Sequence, residues 1–385
     1  MYKPKLVRIT TVPISLEKLL EGQLTFMSGH FELIAMSAQP EQLKEFGKQN
    51  GVRVQPLPLT RKITPLKDLI AIIRLVRFLR QERPEIVHTH TPKAGMVGML
   101  AARLAGVPNR MHTVAGLPLM EARGLKRSIL EWVERFTYAM ATHVYPNSFV
   151  LKDFIVKKGW TKSSKLKVLG HGSSNGIDTS YFDPKMISSE AVVSWKNKLG
   201  IGQKDRTFVF VGRLVGDKGI NELVQAFSGI RKTYETTHLL LVGPTEPELD
   251  PLLKETTELI ESDTHIHSLG YQKDVRPFLA LSDALVFPSY REGFPNVVMQ
   301  AAAMGLACVV TDINGCNEII ADEQNGLIVP PKDTASLQNA MHKLLEDEEL
   351  LSRLSTRARS SVVSRYERLE FWDNLLQEYR QILNS

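Results

Sequence analysis

The stretch Ala284-Leu285-Val286-Phe287-Pro288-Ser289-Tyr290-Arg291-Glu292-Gly293-Phe294-Pro295-Asn296-Val297-Val298-Met299-Gln300 decides the fold. It opens on an unbroken apolar run of strand type, and a helical pattern runs from Val297 to Ala303. Between them lies a polar Gly/Pro turn carrying one carboxylate, Glu292. Pro295 suits the first helical position, where its missing N–H is not needed. The N–H groups at Asn296, Val297 and Val298 would then point out of the helix start, a site for a phosphate. Glu292 beside them can accept hydrogen bonds from hydroxyls. A place that holds phosphate and hydroxyls together suits a sugar nucleotide.

The same strand-then-helix alternation extends in both directions, which argues a parallel α/β architecture. In the first half, strands are expected at Leu6–Thr10, Phe31–Met36, Arg53–Pro56, Ile86–His90, Asn109–Val114 and His143–Pro146. In the second half they are expected at Thr207–Val211, His238–Val242, Ile266–Leu269, Ala284–Phe287, Ala307–Thr311 and Gly326–Val329. Helical patterns fill the gaps, including Leu66–Gln81, Lys93–Leu104, Ile220–Tyr234, Leu249–Ser262, Val275–Ala280, Thr334–Asp347 and Glu367–Leu383. With 385 residues the chain has room for two domains. They should meet near Gly170-His171-Gly172-Ser173-Ser174-Asn175-Gly176-Ile177-Asp178, a Gly/Ser/Asn cluster of hinge type. That cluster imitates a dinucleotide-binding glycine motif but leads into a turn, whereas the phosphate motif must open a helix. The expected boundaries are 1–175, 176–365 and a final segment, 366–385. Two doubly wound domains facing a cleft would bind ligands beyond the carboxyl ends of their strands.

Charge is lopsided. Residues 1–170 hold 27 Lys/Arg and 12 Asp/Glu, while residues 171–385 hold 21 and 30. The basic half should meet an anionic surface. No zinc-finger spacing, aromatic RNA-binding motif or basic region with heptads is visible, so nucleic acid is not the expected partner. The two cysteines, Cys308 and Cys316, are too few for a disulfide scaffold and lack neighbours at zinc spacing. No signal peptide and no apolar run of ~20 residues is evident, so a cytoplasmic location is expected.

A second motif gathers at another strand end: Val211-Gly212-Arg213-Leu214, then Val215-Gly216-Asp217-Lys218-Gly219 opening a helix. Gly212 permits close backbone approach. Arg213 can hold a phosphate bidentately, and Lys218 adds a compact second charge. Together they would neutralise a departing diphosphate. These residues, with Glu292-Gly293-Phe294-Pro295-Asn296 and Asn325-Gly326-Leu327-Ile328-Val329-Pro330-Pro331, resemble the retaining glycosyltransferases of the GT-B fold known as family four. The resemblance spans nearly the whole chain, in the right order. It implies two Rossmann-like domains, the second binding a nucleotide sugar and the first an acceptor, with the last helix crossing back to the first domain. It also implies roles by position. Arg213 and Lys218 match the diphosphate-binding pair, and Glu292 matches the first carboxylate of the E-x7-E motif, which contacts the donor sugar. Gly293, Phe294 and Pro295 match the loop whose backbone faces that sugar, and Asn296 and Val297 the helix start at the phosphates. The second glutamate of the motif, which holds the ribose hydroxyls, is replaced by Gln300. His112 matches the histidine of the first domain near the donor sugar and phosphate.

His88-Thr89-His90-Thr91-Pro92-Lys93-Ala94-Gly95 and Val114-Ala115-Gly116-Leu117 also follow strand patterns. His90, Lys93 and Gly116 are the candidates on the acceptor side. The loop after the first strand, Thr11-Val12-Pro13-Ile14-Ser15-Leu16, lacks the glycine pair common in the family, so acceptor contacts are not carried onto it. No Asp-x-Asp pair is present, so no metal and no cofactor is expected. Chains with His-Thr-Pro-Lys-Ala-Gly and Val-Ala-Gly-Leu-Pro-Leu resemble enzymes that build bacterial surface polysaccharides on a lipid diphosphate carrier. Leu66–Arg83 mixes Lys67, Arg74, Arg77, Arg80 and Arg83 with apolar residues, and Gly116-Leu117-Pro118-Leu119-Met120 precedes Arg123, Lys126 and Arg127. Such faces suit peripheral contact with the inner, anionic face of the cell membrane.

The expected activity is metal-independent, retaining transfer of a sugar, an N-acetylhexosamine or deoxy-sugar, from a UDP-sugar to a lipid-diphosphate-linked saccharide. Catalysis would rest on Arg213, Lys218, Glu292 and His112, and domain closure would exclude water. The alternatives are a nucleotide-sugar epimerase on the same fold, tested by incubating donor without acceptor, and a binding protein without turnover. Nucleic-acid binding, the third, would show as a salt-dependent gel shift.

Overall fold

The computed structural model describes residues 2–60, 64–117, 124–248 and 250–384. The chain forms two compact units, one of residues 1–176 with 369–385, the other of residues 177–368.

The first unit holds a parallel sheet of β1 (Lys5–Ile9), β2 (Glu32–Ser37), β3 (Arg53–Pro56), β4 (Ile86–Thr89), β5 (Asn109–Val114) and β6 (His143–Pro146), in the order β3-β2-β1-β4-β5-β6. The second holds β7 (Arg206–Val211), β8 (Thr237–Val242), β9 (Ile266–Gly270), β10 (Ala284–Phe287), β11 (Ala307–Thr311) and β12 (Leu327–Val329), in the order β12-β11-β10-β7-β8-β9. Both orders are the doubly wound Rossmann order, the second written from its opposite edge. In each, the strand order reverses between the first and fourth strands, and there ligands bind. The strands read as continuous apolar runs because helices cover both faces: Leu239, Leu240, Leu241 and Val242 are all buried. Phe210 and Phe287 stack beneath the β7 and β10 ends, ring centroids 5.8 Å apart.

All the expected strands form, most within one residue of their expected ends. The helix expected from Leu249 begins at Lys254. Pro251 disfavours helical backbone before it, and Leu249 itself lies outside the described residues. Among the helices with no named counterpart in the expected elements are three long ones, Gly124–Met140, Ser189–Leu199 and Glu348–Tyr366.

The helix Arg368–Leu383 belongs to the first unit from Leu369 onward. Phe371, Trp372, Leu375, Leu376 and Tyr379 complete an apolar cluster with Leu6, Leu16, Leu24, Phe31 and Met111. A polar chain runs through it. The fully buried Arg8 donates from Nη1 to Tyr379 Oη at 2.7 Å and from Nη2 to Gln23 Oε1 at 2.6 Å. Tyr379 Oη lies 2.6 Å from His88 Nδ1, and His88 Nε2 lies 2.8 Å from Thr113 Oγ1. Arg8 already donates to the phenol oxygen, so the phenol proton goes to His88 Nδ1. That leaves Nε2–H to donate to Thr113.

Candidate active site

At the switch point of the second unit, β7 and β10 end side by side. From β7 the chain passes Gly212 and Arg213 into a 3-10 turn, Gly216–Lys218, and then the helix Ile220–Arg231. From β10 it passes Pro288 to Pro295 into the helix Asn296–Ala303. Gly219 closes the first connection at φ +71°, and a Cβ there would lie 2.2 Å from the Pro288 carbonyl oxygen. The two loops are therefore locked backbone to backbone, which only glycine permits.

This lock brings Lys218 to Glu292. The Lys218 ammonium donates to Glu292 Oε1, and Ser289 Oγ donates to the same oxygen at 3.0 Å. Both side chains are mostly covered, 15% and 17% exposed. Asn314 Nδ2 reaches the carbonyl oxygens of Glu292 and Gly293, at 3.2 and 2.6 Å, and so pins the loop from the β11 side. Arg291 is held away by Asp217, Nη2 to Oδ2 at 2.8 Å. Arg213, 42% exposed, bonds Glu246 Oε2 at 2.6 Å. Phe294 is buried against Tyr366, ring centroids 5.5 Å apart, so only the loop backbone is left for a ligand.

Pro295 is the N-cap of its helix, not its first residue. Its backbone is extended at φ −76° and ψ 108°, and Val298 N bonds Pro295 O at 3.2 Å. The N–H groups without intrahelical partners are therefore those of Asn296 and Val297. Gln300 is half-buried on that helix, and its side chain makes no hydrogen bond among the described residues. Ser289, Asn314, Glu246 and Asp250 were not among the expected site residues. Asn314-Gly315, shortly after β11, is a sequence signal that marks a strand-end turn.

In the first unit His88 and His90 lie on one face of the sheet and His112 on the other. Thr89 and His112 are register partners on β4 and β5, and Thr89 Oγ1 lies 2.8 Å from His112 Nδ1. The helix Pro92–Ala105 packs on this face through Gly95, where a Cβ would lie 2.4 Å from His112 Cε1. His88 and His90 face the helix Arg368–Leu383 side and stack on each other, centroids 4.2 Å apart. Burial and the nearby Arg8 charge hold both well below the usual imidazole range. His90 Nε2 is buried without a hydrogen-bond partner. With Gln23, His88, Thr113 and Ser174 it lines a cavity of about 10 Å³, roughly the room one water needs. Lys93 is ion-paired with Asp68. Gly116 is half-buried at φ +142°, and residues 118–123 of the expected apolar-basic loop lie outside the described residues.

Burial lowers His112 to about 4, so its imidazole is neutral at pH 7. The unfolded chain takes up a proton near 6.5 that folded His112 refuses, so its stabilisation is complete above pH 6.5 and is lost as pH falls towards 4. The slope is about 1.4 kcal/mol per pH unit. His88 and His90 act in the same sense. Glu134, raised by burial to about 7, opposes them. Urea denaturation between pH 7 and 5 should show stability falling, with a shallower slope in His112→Asn. An equal slope in both proteins would contradict the assignment.

The sequence family described as Glycosyl transferases group 1 matches residues 193–361, and the Glycosyl transferase 4-like domain matches residues 28–172. The capsular polysaccharide biosynthesis glycosyltransferase CapM of Staphylococcus aureus is 28% identical, covering 100% of this chain and 99% of its own. An Escherichia coli UDP-Gal:alpha-D-GlcNAc-diphosphoundecaprenol alpha-1,3-galactosyltransferase is 28% identical over 97% of each chain. Among solved structures, a Rickettsia africae glycosyltransferase superposes with TM-score 0.83 at 18% identity, covering 100% of this chain and 99% of that one. Anabaena HepE, solved with UDP and glucose, gives TM-score 0.82 at 17% identity, covering 98% and 100%. The paired Rossmann sheets, the Lys218–Glu292 loops at the switch point and these matches agree: the chain belongs to the group 1 glycosyltransferases of the GT-B fold.

Proposed function

We propose that this glycosyltransferase moves a sugar, an N-acetylhexosamine or deoxy-sugar, from a UDP-sugar to a saccharide on a lipid diphosphate. The setting is capsule or O-antigen synthesis, and the anomeric configuration is retained. The observation that carries this reading is the covered Lys218–Glu292–Ser289 cluster at the switch point, beside Arg213 and an open helix start. Lys218, Arg213 and the N–H groups of Asn296 and Val297 neutralise the diphosphate as its bond to the anomeric carbon breaks. The acceptor oxygen bonds that carbon on the same face and passes its proton to a departing phosphate oxygen. Glu292 accepts from sugar hydroxyls, Gly293 and Phe294 offer backbone, and Gln300 takes the ribose. For His112 we propose a hydrogen-bonding role, since its ring is neutral at pH 7. No metal enters this scheme. The relatives that act on undecaprenyl diphosphate-linked substrates support the acceptor class.

No helix among the described residues is long and apolar enough to cross a membrane. The helix Gly124–Met140 instead exposes Leu125 (78%), Ile129 (43%) and Trp132 (61%), with Phe136 stacked on Trp132. Their spacing forms one apolar stripe, flanked by Lys126, Arg127 and Arg135. The helix Pro65–Glu82 likewise exposes Leu66, Leu69, Ile70 and Ile73 beside Lys67 and Arg74. We assign both to peripheral contact with the cytoplasmic, anionic leaflet.

The test screens UDP-, GDP- and TDP-sugars for protection against unfolding, where a ligand at ~100 times its Kd adds about 2.7 kcal/mol. Transfer is then assayed on acceptor embedded in anionic vesicles, with the product anomer read by NMR. A UDP-sugar should protect and give a retained product, and Trp132→Ala should lose vesicle-dependent transfer while keeping UDP affinity. Absence of protection by every donor would sink the reading.

A further inference from the structure

The segment Pro244–Leu253 follows β8 and carries Glu246, Glu248 and Asp250 among Pro244, Pro247 and Pro251. It is fastened at one end to the loop that bears the phosphate-binding pair and at the other to the helix that follows that loop. Leu214 N donates to Pro244 O at 2.8 Å, and Leu253 N donates to Asn221 Oδ1 at 3.0 Å. Between these points Asp217 N donates to Asp250 Oδ2 at 2.6 Å, fixing the turn that presents Lys218. Glu246 does something different. It bonds the guanidinium of Arg213, at 2.6 Å, where both side chains are open to solvent, 42% and 31% exposed.

An ion pair this exposed contributes at most about 1 kcal/mol. That holds Arg213 in one place but does not commit it. A diphosphate offers the same guanidinium a bidentate and more highly charged partner. We infer that Glu246 is a built-in counter-ion for Arg213. It keeps the arginine aimed at the donor site, yields it to the diphosphate of the incoming nucleotide, and takes it back as the product nucleotide leaves. This rests on the donor site proposed above. Glu246 is thereby a positioning residue that sets nucleotide affinity and release, acting through Arg213.

The experiment titrates UDP, and separately inorganic pyrophosphate, into the full chain and its variants by calorimetry, with UDP release followed by stopped flow. Glu246→Gln should bind both about three- to fivefold more tightly, and release UDP more slowly by a similar factor. Glu248→Gln makes the same charge change on an exposed residue of the same segment, and should leave both affinities unchanged. Glu246→Asp, which keeps the charge but withdraws it by one methylene, should fall between and controls for folding. Affinity equal to wild type or weaker in Glu246→Gln overturns the inference, as does an equal gain in Glu248→Gln. If neither UDP nor pyrophosphate binds the wild-type chain, the donor site falls as well, so the two failures are distinguishable.

Discussion

Lys218→Ala is expected to cut sugar transfer by about 10²–10³-fold while the chain stays folded, the loss seen when one preorganised donor to a developing negative charge is removed. The ammonium does two things. It bonds Glu292 Oε1, and it supplies positive charge beside the β10 end, 6.0 Å from the Phe287 ring centroid. Alanine leaves Glu292 with Ser289 as the remaining partner on that oxygen. A carboxylate without its cation then faces the incoming diphosphate, so ground-state binding and leaving-group stabilisation both suffer. Steady-state kinetics with a UDP-sugar should therefore show kcat falling and KM rising. Adding Glu292→Gln to Lys218→Ala separates the two effects, because it removes the unpaired carboxylate and restores no charge to the diphosphate. A Lys218→Ala rate within threefold of wild type would remove Lys218 from the chemistry.

Gly219→Ala should destabilise the second unit by about 3 kcal/mol, combining ~1–2 kcal/mol for a left-handed alanine with the cost of overpacking. The added methyl would sit 2.2 Å from the Pro288 carbonyl oxygen. The obstacle is backbone rather than a flexible side chain, and so cannot swing aside. Relief requires the 3-10 turn and the Pro288 strand end to separate, which also pulls Lys218 from Glu292. Calorimetry should record the second unit melting roughly 6–12 °C lower, with nucleotide protection lost. A shift below about 2 °C would mean the two loops part at little cost.

The strands were legible because parallel strands buried on both faces spell themselves as apolar runs bounded by turns. The Glu292 loop and the Arg213–Lys218 loop were legible for the same reason: each hangs on the end of such a run. The helix Gly124–Met140 was not. It buries Glu134, Thr137 and Tyr138 and exposes Leu125, Ile129 and Trp132, which inverts the pattern a soluble amphipathic helix presents. In Glu348–Tyr366 the buried Leu350, Leu354, Ala358, Val362 and Tyr366 recur every four residues, diluted by Ser and Arg. Glu246 and Asp250 were illegible in principle. Glu246 stands in an acidic, proline-rich stretch and Asp250 in an expected helix, and neither pattern tells that the fold brings them to Arg213 and to the Asp217 N–H. The histidines show the same limit: His88, His90 and His112 look like one cluster in the sequence, yet the pleat sends His112 to one face and its two neighbours to the other.

The return of residues 369–385 to the first unit sets an order of events during synthesis. Residues 177–368 are all translated before Tyr379, and they contain everything their own sheet requires. The first unit emerges earlier, but its apolar cluster is complete only with the last helix. Until Tyr379 arrives, Arg8 lacks the oxygen that accepts from Nη1, and the surface that takes Phe371, Trp372 and Leu375 stays open to water. Domains ordinarily close in the order in which they leave the ribosome. Here the later-made unit can close first. The apolar flank left uncovered on the nascent first unit lies around Leu16, Leu24 and Phe31. A stop codon introduced just before Leu369 should leave the second unit folded and the first aggregation-prone.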